Sequence, residues 1–319
     1  SAGSASTVAA GLVPFAIGSE TWGSIVSPCT RCGVTGLRPT FGRVSRDGAM
    51  ALSWSMDKLG PIARTVEDCA LVFGEIFGPA SRSSSEGDPG ERDLSVIDAP
   101  FAWPHRLEPS TTRLGYLKSA FERTPDDERD AELLALERAS LDRLSDLGFR
   151  LIPIELPTLP IRPLSFVLGV EAAAAFDELT RSGRDELLVR QVEQAWPNVF
   201  RQARFVPAVE YLQANRVRTL LMHEMAALFR RIDLYVTPSF GGDNLLLTNL
   251  TGHPCVVLPN GFRTDGTPTS LSFVGDLFAE DRLLAVAQLY QEATDFHLRR
   301  PDLEAGWARK KEAEDPTRE

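Results

Sequence analysis

The chain has 319 residues, 43% of them hydrophobic, and its 44 acidic and 34 basic side chains leave a formal net charge of −10. That length can bury a large core as one big domain or two modest ones, while the acidic balance argues against a broad phosphate-neutralising surface, which needs clustered Lys and Arg. Apolar runs such as Leu133–Leu136 fall far short of the ~20 residues that span a bilayer, the opening residues lack a signal-peptide pattern, and four cysteines are too few for a disulfide scaffold, which fits a reducing cytoplasm.

Residues Gly3 to Gly11 are small and helix-compatible, and Phe15-Ala16-Ile17 reads as a short buried strand entering a polar turn, Gly18-Ser19-Glu20-Thr21. A short turn or helix then leads to Gly33. A strand covers about Val34 to Leu37, and an irregular stretch rich in Gly, Ser and Met runs through Lys58. Thr65 is placed to cap a helix through Phe77, with Glu67 and Asp68 suiting the positive helix start. Residues 79–100 read as a linker or flexible loop, because the run Ser81 to Gly90 carries too little apolar surface to offset the entropy of ordering it.

Beyond that segment, Arg113 to Leu117 reads as a strand. Thr124-Pro125 opens a helix that Gly148 closes, with Leu134, Leu141 and Leu144 on one face. A strand at Phe149 to Ile154 follows, then a helix near Val206 to Arg231 and a strand at Leu234 to Val236. Two more strands lie near Val256 to Leu258 and Leu271 to Val274, and a final helix spans about Glu280 to His297. This alternation predicts an α/β fold, a layered sheet covered by helices.

Three stretches carry the chemistry: Ser1-Ala-Gly-Ser-Ala-Ser to Gly11, Gly18-Ser-Glu-Thr-Trp-Gly-Ser24-Ile-Val-Ser-Pro28, and Gly33-Val-Thr-Gly-Leu-Arg-Pro-Thr40. They resemble the amidase signature family. The likeness continues through Asp57-Lys-Leu-Gly-Pro61, Arg64-Thr-Val-Glu-Asp68 and Asn249-Leu-Thr-Gly-His-Pro254, and reaches about Pro301. The resemblance implies a layered mixed sheet and one domain over residues 1–319, forming the C-terminal portion of a longer enzyme. It also implies a serine nucleophile, Ser24, and a proton relay of a second serine and a lysine. The relay serine aligns just before Ser1 and the lysine further upstream, so the chain alone is expected to be inactive.

The residues support that assignment independently. An amide carbonyl is a poor electrophile, so its hydrolysis needs an activated hydroxyl and donors aimed at the oxygen that becomes negative. Ser24 supplies the hydroxyl, and the amides of Thr21, Trp22, Gly23 and Ser24 supply an oxyanion hole; Ser1, Ser19 and Glu20 support the loop. Taken alone, Ser24 before Ile-Val reads as a helix cap, and the surrounding motifs reverse that reading. Trp22 stands where the family has a small glycine and Val26 where it commonly has Arg, which points to altered specificity.

Other constellations read as structure. Cys29-Thr-Arg-Cys32 lacks a second ligand pair and reads as buried, inert thiols. The four histidines form no hydrolase or zinc motif, and Arg216, Arg218, Arg230 and Arg231 read as a solvated helix face. No metal or organic cofactor is expected. The expected partners are a small-molecule amide, contacted by the loop from Met50 to Met56, Trp22 and the middle segment, and a second copy in a homodimer, with no direct nucleic acid and no membrane. Two alternatives stand beside hydrolysis: the glutamine-hydrolysing A subunit of a tRNA-dependent amidotransferase, and a catalytically silent binding module.

Overall fold

The computed structural model describes residues 1–79 and 96–304; most of the predicted linker therefore lies outside the described residues. Helix α1 (Ala2–Ala9) leads to strand β1 (Phe15–Glu20), helix α2 (Val26–Cys32), strands β2 (Thr35–Arg38) and β3 (Lys58–Ala63), and helix α3 (Val66–Ile76). Next come β4 (Arg113–Leu117), α4 (Lys118–Phe121), α5 (Glu128–Asp146), β5 (Arg150–Ile154), α6 (Phe166–Ala175), α7 (Asp177–Arg181) and α8 (Trp196–Ala203). The long α9 (Ala208–Phe229) precedes β6 (Leu234–Pro238), α10 (Asn244–Thr251), β7 (Cys255–Phe262), β8 (Pro268–Gly275) and α11 (Glu280–Glu292).

All these strands join one eight-stranded sheet in the order β1-β3-β2-β7-β8-β6-β4-β5. Strand β4 is parallel to both β5 and β6, and the remaining pairs are antiparallel. The sheet is therefore mixed, as expected. Helices α1, α2, α9 and α10 bury one face through residues such as Val8, Ile25, Leu221 and Leu247. Helices α3, α5 and α11 cover the other through Phe73, Leu144 and Leu284. A smaller cluster centred on Phe200 holds α6 against α8, with Phe176 stacked on that ring at 5.1 Å.

Several boundaries differ from the sequence reading for physical reasons. Gly18, Ser19 and Glu20 are not a turn: they extend β1, pairing with Gly60, Leu59 and Lys58 of β3. The β3 strand is hidden in the sequence by Pro61, a residue that normally argues against a strand inside a sheet. Helix α5 starts after Asp127, whose carboxylate accepts the Asp130 amide at 2.7 Å, so Asp127 rather than Thr124-Pro125 opens it. The last helix stops at Glu292, five residues before His297. Thr65 does cap α3, accepting the Asp68 amide at 3.0 Å.

Close approach of β2 and β3 rests on Gly60, where a methyl group would lie 2.0 Å from the Leu37 carbonyl oxygen. Because that obstacle is backbone, Gly60→Ala forces the strands apart. We expect a loss of about 3 kcal/mol or more in urea unfolding; a loss below ~0.5 kcal/mol would show that this edge of the sheet yields freely.

Candidate active site

The turn from Thr21 to Ile25 leaves the end of β1 and enters α2. Gly23 takes a left-handed φ of 93°, and its carbonyl accepts the Ser27 amide at 2.8 Å, closing the first helical turn. Ser24 is exposed, and its hydroxyl makes no hydrogen bond among the described residues. The four consecutive amides of Thr21, Trp22, Gly23 and Ser24 likewise donate to no described acceptor, whereas the next two, from Ile25 and Val26, are both taken by one oxygen of Glu20 at 2.8 and 2.9 Å. The expected oxyanion donors are thus left open beside the Ser24 hydroxyl.

Glu20 is fully buried and holds this turn from beneath. Its other oxygen accepts Arg38 Nη1 and Asn249 Nδ2, both at 2.8 Å, and Arg38 Nη2 donates to the His253 carbonyl at 2.9 Å. One carboxylate therefore joins β1, the start of α2, β2 and α10. Burial works to raise the Glu20 pKa, but the charge and hydrogen bond of Arg38, with the Val26 amide and Asn249, outweigh it and hold the value at about 2. On the other side of the turn, Ser1 Oγ donates to the Ser19 carbonyl at 3.1 Å and accepts the Ser19 amide at 2.9 Å.

A second carboxylate fastens the loop before β3. Asp57 accepts the Thr21 hydroxyl at 2.5 Å and the amides of Leu52 and Ser53 at 2.8 and 2.9 Å. Glu171 of α6 accepts the hydroxyls of Ser53, Ser55 and Tyr211 at 2.5, 2.7 and 2.7 Å, while Arg218 of α9 donates to Ser55 Oγ and Ser55 O at 2.7 Å each. Arg218 is buried, which corrects its assignment to a solvated face; Arg216, Arg230 and Arg231 are exposed as expected. Loop residues Met50, Leu52 and Trp54 open onto a cleft, but Met56 is fully buried in the core and does not contact that space.

Two clefts meet at Thr21, Ser24 and Leu52. One, of about 1030 Å³, is lined by Ser1, Ser4, Ser19, Arg46, Asp47 and Asp57 among others. The second, of about 550 Å³, runs between Trp22 and the middle segment, with Phe166, Trp196 and Val199 in its walls. Trp22 is 45% exposed at the mouth of the second cleft, and Val26 is buried in the apolar core.

The remaining singled-out residues stay apart from this turn. Cys29 and Cys69 are buried, and burial pushes both thiols up in pKa; Cys32 is partly exposed. His253 packs at 5.1 Å against the Phe229 ring, and burial, reinforced by Arg38, lowers its pKa to about 3. Among the described residues no group of His, Cys, Asp and Glu forms a metal cage. No helix of the described residues is long and apolar enough to cross a membrane. Lys58 does not stand in the sequence context of the family's relay lysine, and its surroundings are unusual. Its amine is buried, donates to the Met56 carbonyl, and has its pKa driven well below the usual lysine range by burial and by Arg38. No hydrogen bond joins it to Ser24 among the described residues.

Comparison with protein families matches the Amidase family over residues 1–245, and the chain belongs to that family. Among curated relatives, it is 32% identical to the A subunit of the glutamyl-tRNA(Gln) amidotransferase of Dechloromonas aromatica (strain RCB), over 94% of this chain and 68% of that protein. It is 33% identical to the protein of the same name from Chloroflexus aggregans, over 95% and 68%. Among solved structures, the peptide amidase of Stenotrophomonas maltophilia superposes with a TM-score of 0.73 at 26% identity, covering 92% of this chain and 64% of that one. An amidase family protein of Bacillus anthracis gives 0.74 at 23% identity, covering 94% and 60%, and shows the shared fold. The chain thus spans 60–68% of the length of these four proteins.

Glu20→Gln removes the negative charge facing a buried Arg38, and we expect it to cost roughly 3 kcal/mol or more. Since the folded pKa of Glu20 lies near 2, below its ordinary value of 4.5, its stabilisation is fully present above about pH 4.5 and is lost as pH falls toward 2. Urea titrations from pH 6 to pH 2 check both points: the wild type loses stability across that window, and the variant starts lower with a flatter profile.

Proposed function

We propose that this chain carries the nucleophile and oxyanion hole of an amidase that hydrolyses a carboxamide through an acyl-enzyme on Ser24. The observation that carries the reading is the run of four unpartnered amides, Thr21 to Ser24, ending at an exposed and unengaged hydroxyl. Attack forms the Ser24 Oγ–carbon bond as the hydroxyl proton departs, and the amides receive the negative oxygen. Collapse breaks the carbon–nitrogen bond, and the amine or ammonia leaves with that proton. Water then adds to the ester, breaks the Oγ–carbon bond and returns a proton to Ser24, releasing a carboxylic acid.

The general acid and base are the serine and lysine that the family resemblance aligns ahead of Ser1. Ser1 and Ser19 brace that side of the turn, and Glu20 braces the other. A fluorophosphonate probe should label the protein bearing its upstream residues, and Ser24→Ala should abolish labelling and lower amide turnover by at least about 10³-fold. An unlabelled wild type would instead favour a silent binding module. Without the upstream residues, turnover is expected to fall to the background of the Ser24→Ala variant.

The second reading is the glutamine-hydrolysing A subunit of a tRNA-dependent amidotransferase, supported by the curated relatives of that name at 29–33% identity. It predicts ammonia release from glutamine that rises several-fold when a partner protein is added. A rate on glutamine unchanged by such a partner would count against it.

A further inference from the structure

We infer that the cleft beside Trp22 selects amides of neutral, apolar carboxylic acids, with Trp22 as a specificity-determining residue; this rests on the Ser24 reading above. The walls of the cleft include Trp22, Phe166, Leu168, Trp196, Val199 and Val206, and no Asp, Glu, Lys or Arg lines it among the described residues. Its polar groups are uncharged, chiefly Gln194, Gln202 and Ser165, and the Thr21 hydroxyl is already committed to Asp57. Trp22 and Trp196 keep 45% and 43% of their surface exposed in this structure, so large apolar faces await a covering group.

The two clefts divide the substrate between them. The larger cleft is lined by Ser1, just ahead of which the proposed relay serine aligns, so the departing amine belongs on that side. The acyl chain then falls into the cleft walled by Trp22 and Trp196. Glutamine fits that arrangement badly. Its ammonium and carboxylate would sit a few bonds beyond the carbonyl, among side chains that give neither charge a partner, and unpaired charges are costly to desolvate. An aryl or alkyl acyl group meets no such penalty and gains from covering the two indoles.

The test uses the full-length protein, with any residues encoded before Ser1, and three measurements. Fluorophosphonate labelling first reports whether Ser24 is a nucleophile. Steady-state kinetics then compare phenylacetamide and hexanamide with L-glutamine. We expect kcat/KM to favour the apolar amides by at least about 100-fold, and Trp22→Ala to raise KM for phenylacetamide about 10-fold more than for glutamine, with Trp22→Phe recovering most of the loss. Gln202→Arg should shift preference toward succinamate, whose carboxylate it can meet. A preference for glutamine, with or without a partner protein, overturns the inference, as does an equal effect of Trp22→Ala on all substrates. If Ser24 is not labelled, the catalytic reading fails separately, and ligand-observed NMR with phenylacetamide decides the cleft. Saturable binding weakened at least about five-fold by Trp22→Ala supports it, and no saturable binding overturns it.

Discussion

The arrangement around Ser24 depends on one buried ion pair, Glu20 with Arg38, in which neither side chain reaches solvent. Removing two charges from water is expensive, and the pair is tolerable because nearly every lone pair of the carboxylate is used: two amides of the α2 start, the guanidinium and Asn249. The geometry that results is more specific than an apolar contact would give. It fixes where β1 stops, where α2 begins, and hence where Ser24 stands. By consuming the amides of Ile25 and Val26, Glu20 leaves those of Thr21 to Ser24 as the amides of the turn without a described acceptor.

A similar device secures the next stretch of chain. Glu280, at the start of α11, accepts the Thr40 amide at 2.8 Å and pairs with buried Arg43, whose guanidinium lies over the Phe77 ring and donates to the carbonyls of Ala99 and Pro100. Two arginine–glutamate pairs, one on each side of Pro39-Thr40, thus bind the segment after β2 into the sheet's surroundings. Glu280 lies 240 residues from Thr40 in sequence, so this segment is tied to the far end of the chain.

Elements built from local signals were legible in the sequence. Strand β4 occupies the span read for it, Gly33 ends α2 in the left-handed conformation, and Thr65 caps α3. The turn carrying Ser24 and Glu20 stands out in the sequence because its motif residues lie together in the chain, and Glu20 does brace it. What was missed depends on contacts across the fold. Gly18 to Glu20 read as a turn because small and polar residues rarely signal a strand, yet β3 supplies their partners. Arg218 read as a surface charge because nothing in its own helix reveals Ser55, 163 residues away. Glu171 gave no pattern at all, and Asp57 stood out only as the start of the motif Asp57-Lys-Leu-Gly-Pro61, since their work is to accept hydrogen bonds from a loop without regular structure.

That loop has a division of labour along its length. Its anchors are the amides of Leu52 and Ser53, the hydroxyls of Ser53 and Ser55, and the Ser55 carbonyl, all held by Asp57, Glu171 and Arg218. Met50 and Trp54, by contrast, are 85% and 54% exposed, and both face the larger cleft. Cleft-facing surface and attachment therefore reside in different atoms of one short segment. Under the acyl-enzyme reading proposed above, such a loop is a natural place to vary leaving-group preference: its two projecting side chains can be exchanged while the Asp57, Glu171 and Arg218 fastenings stay in place.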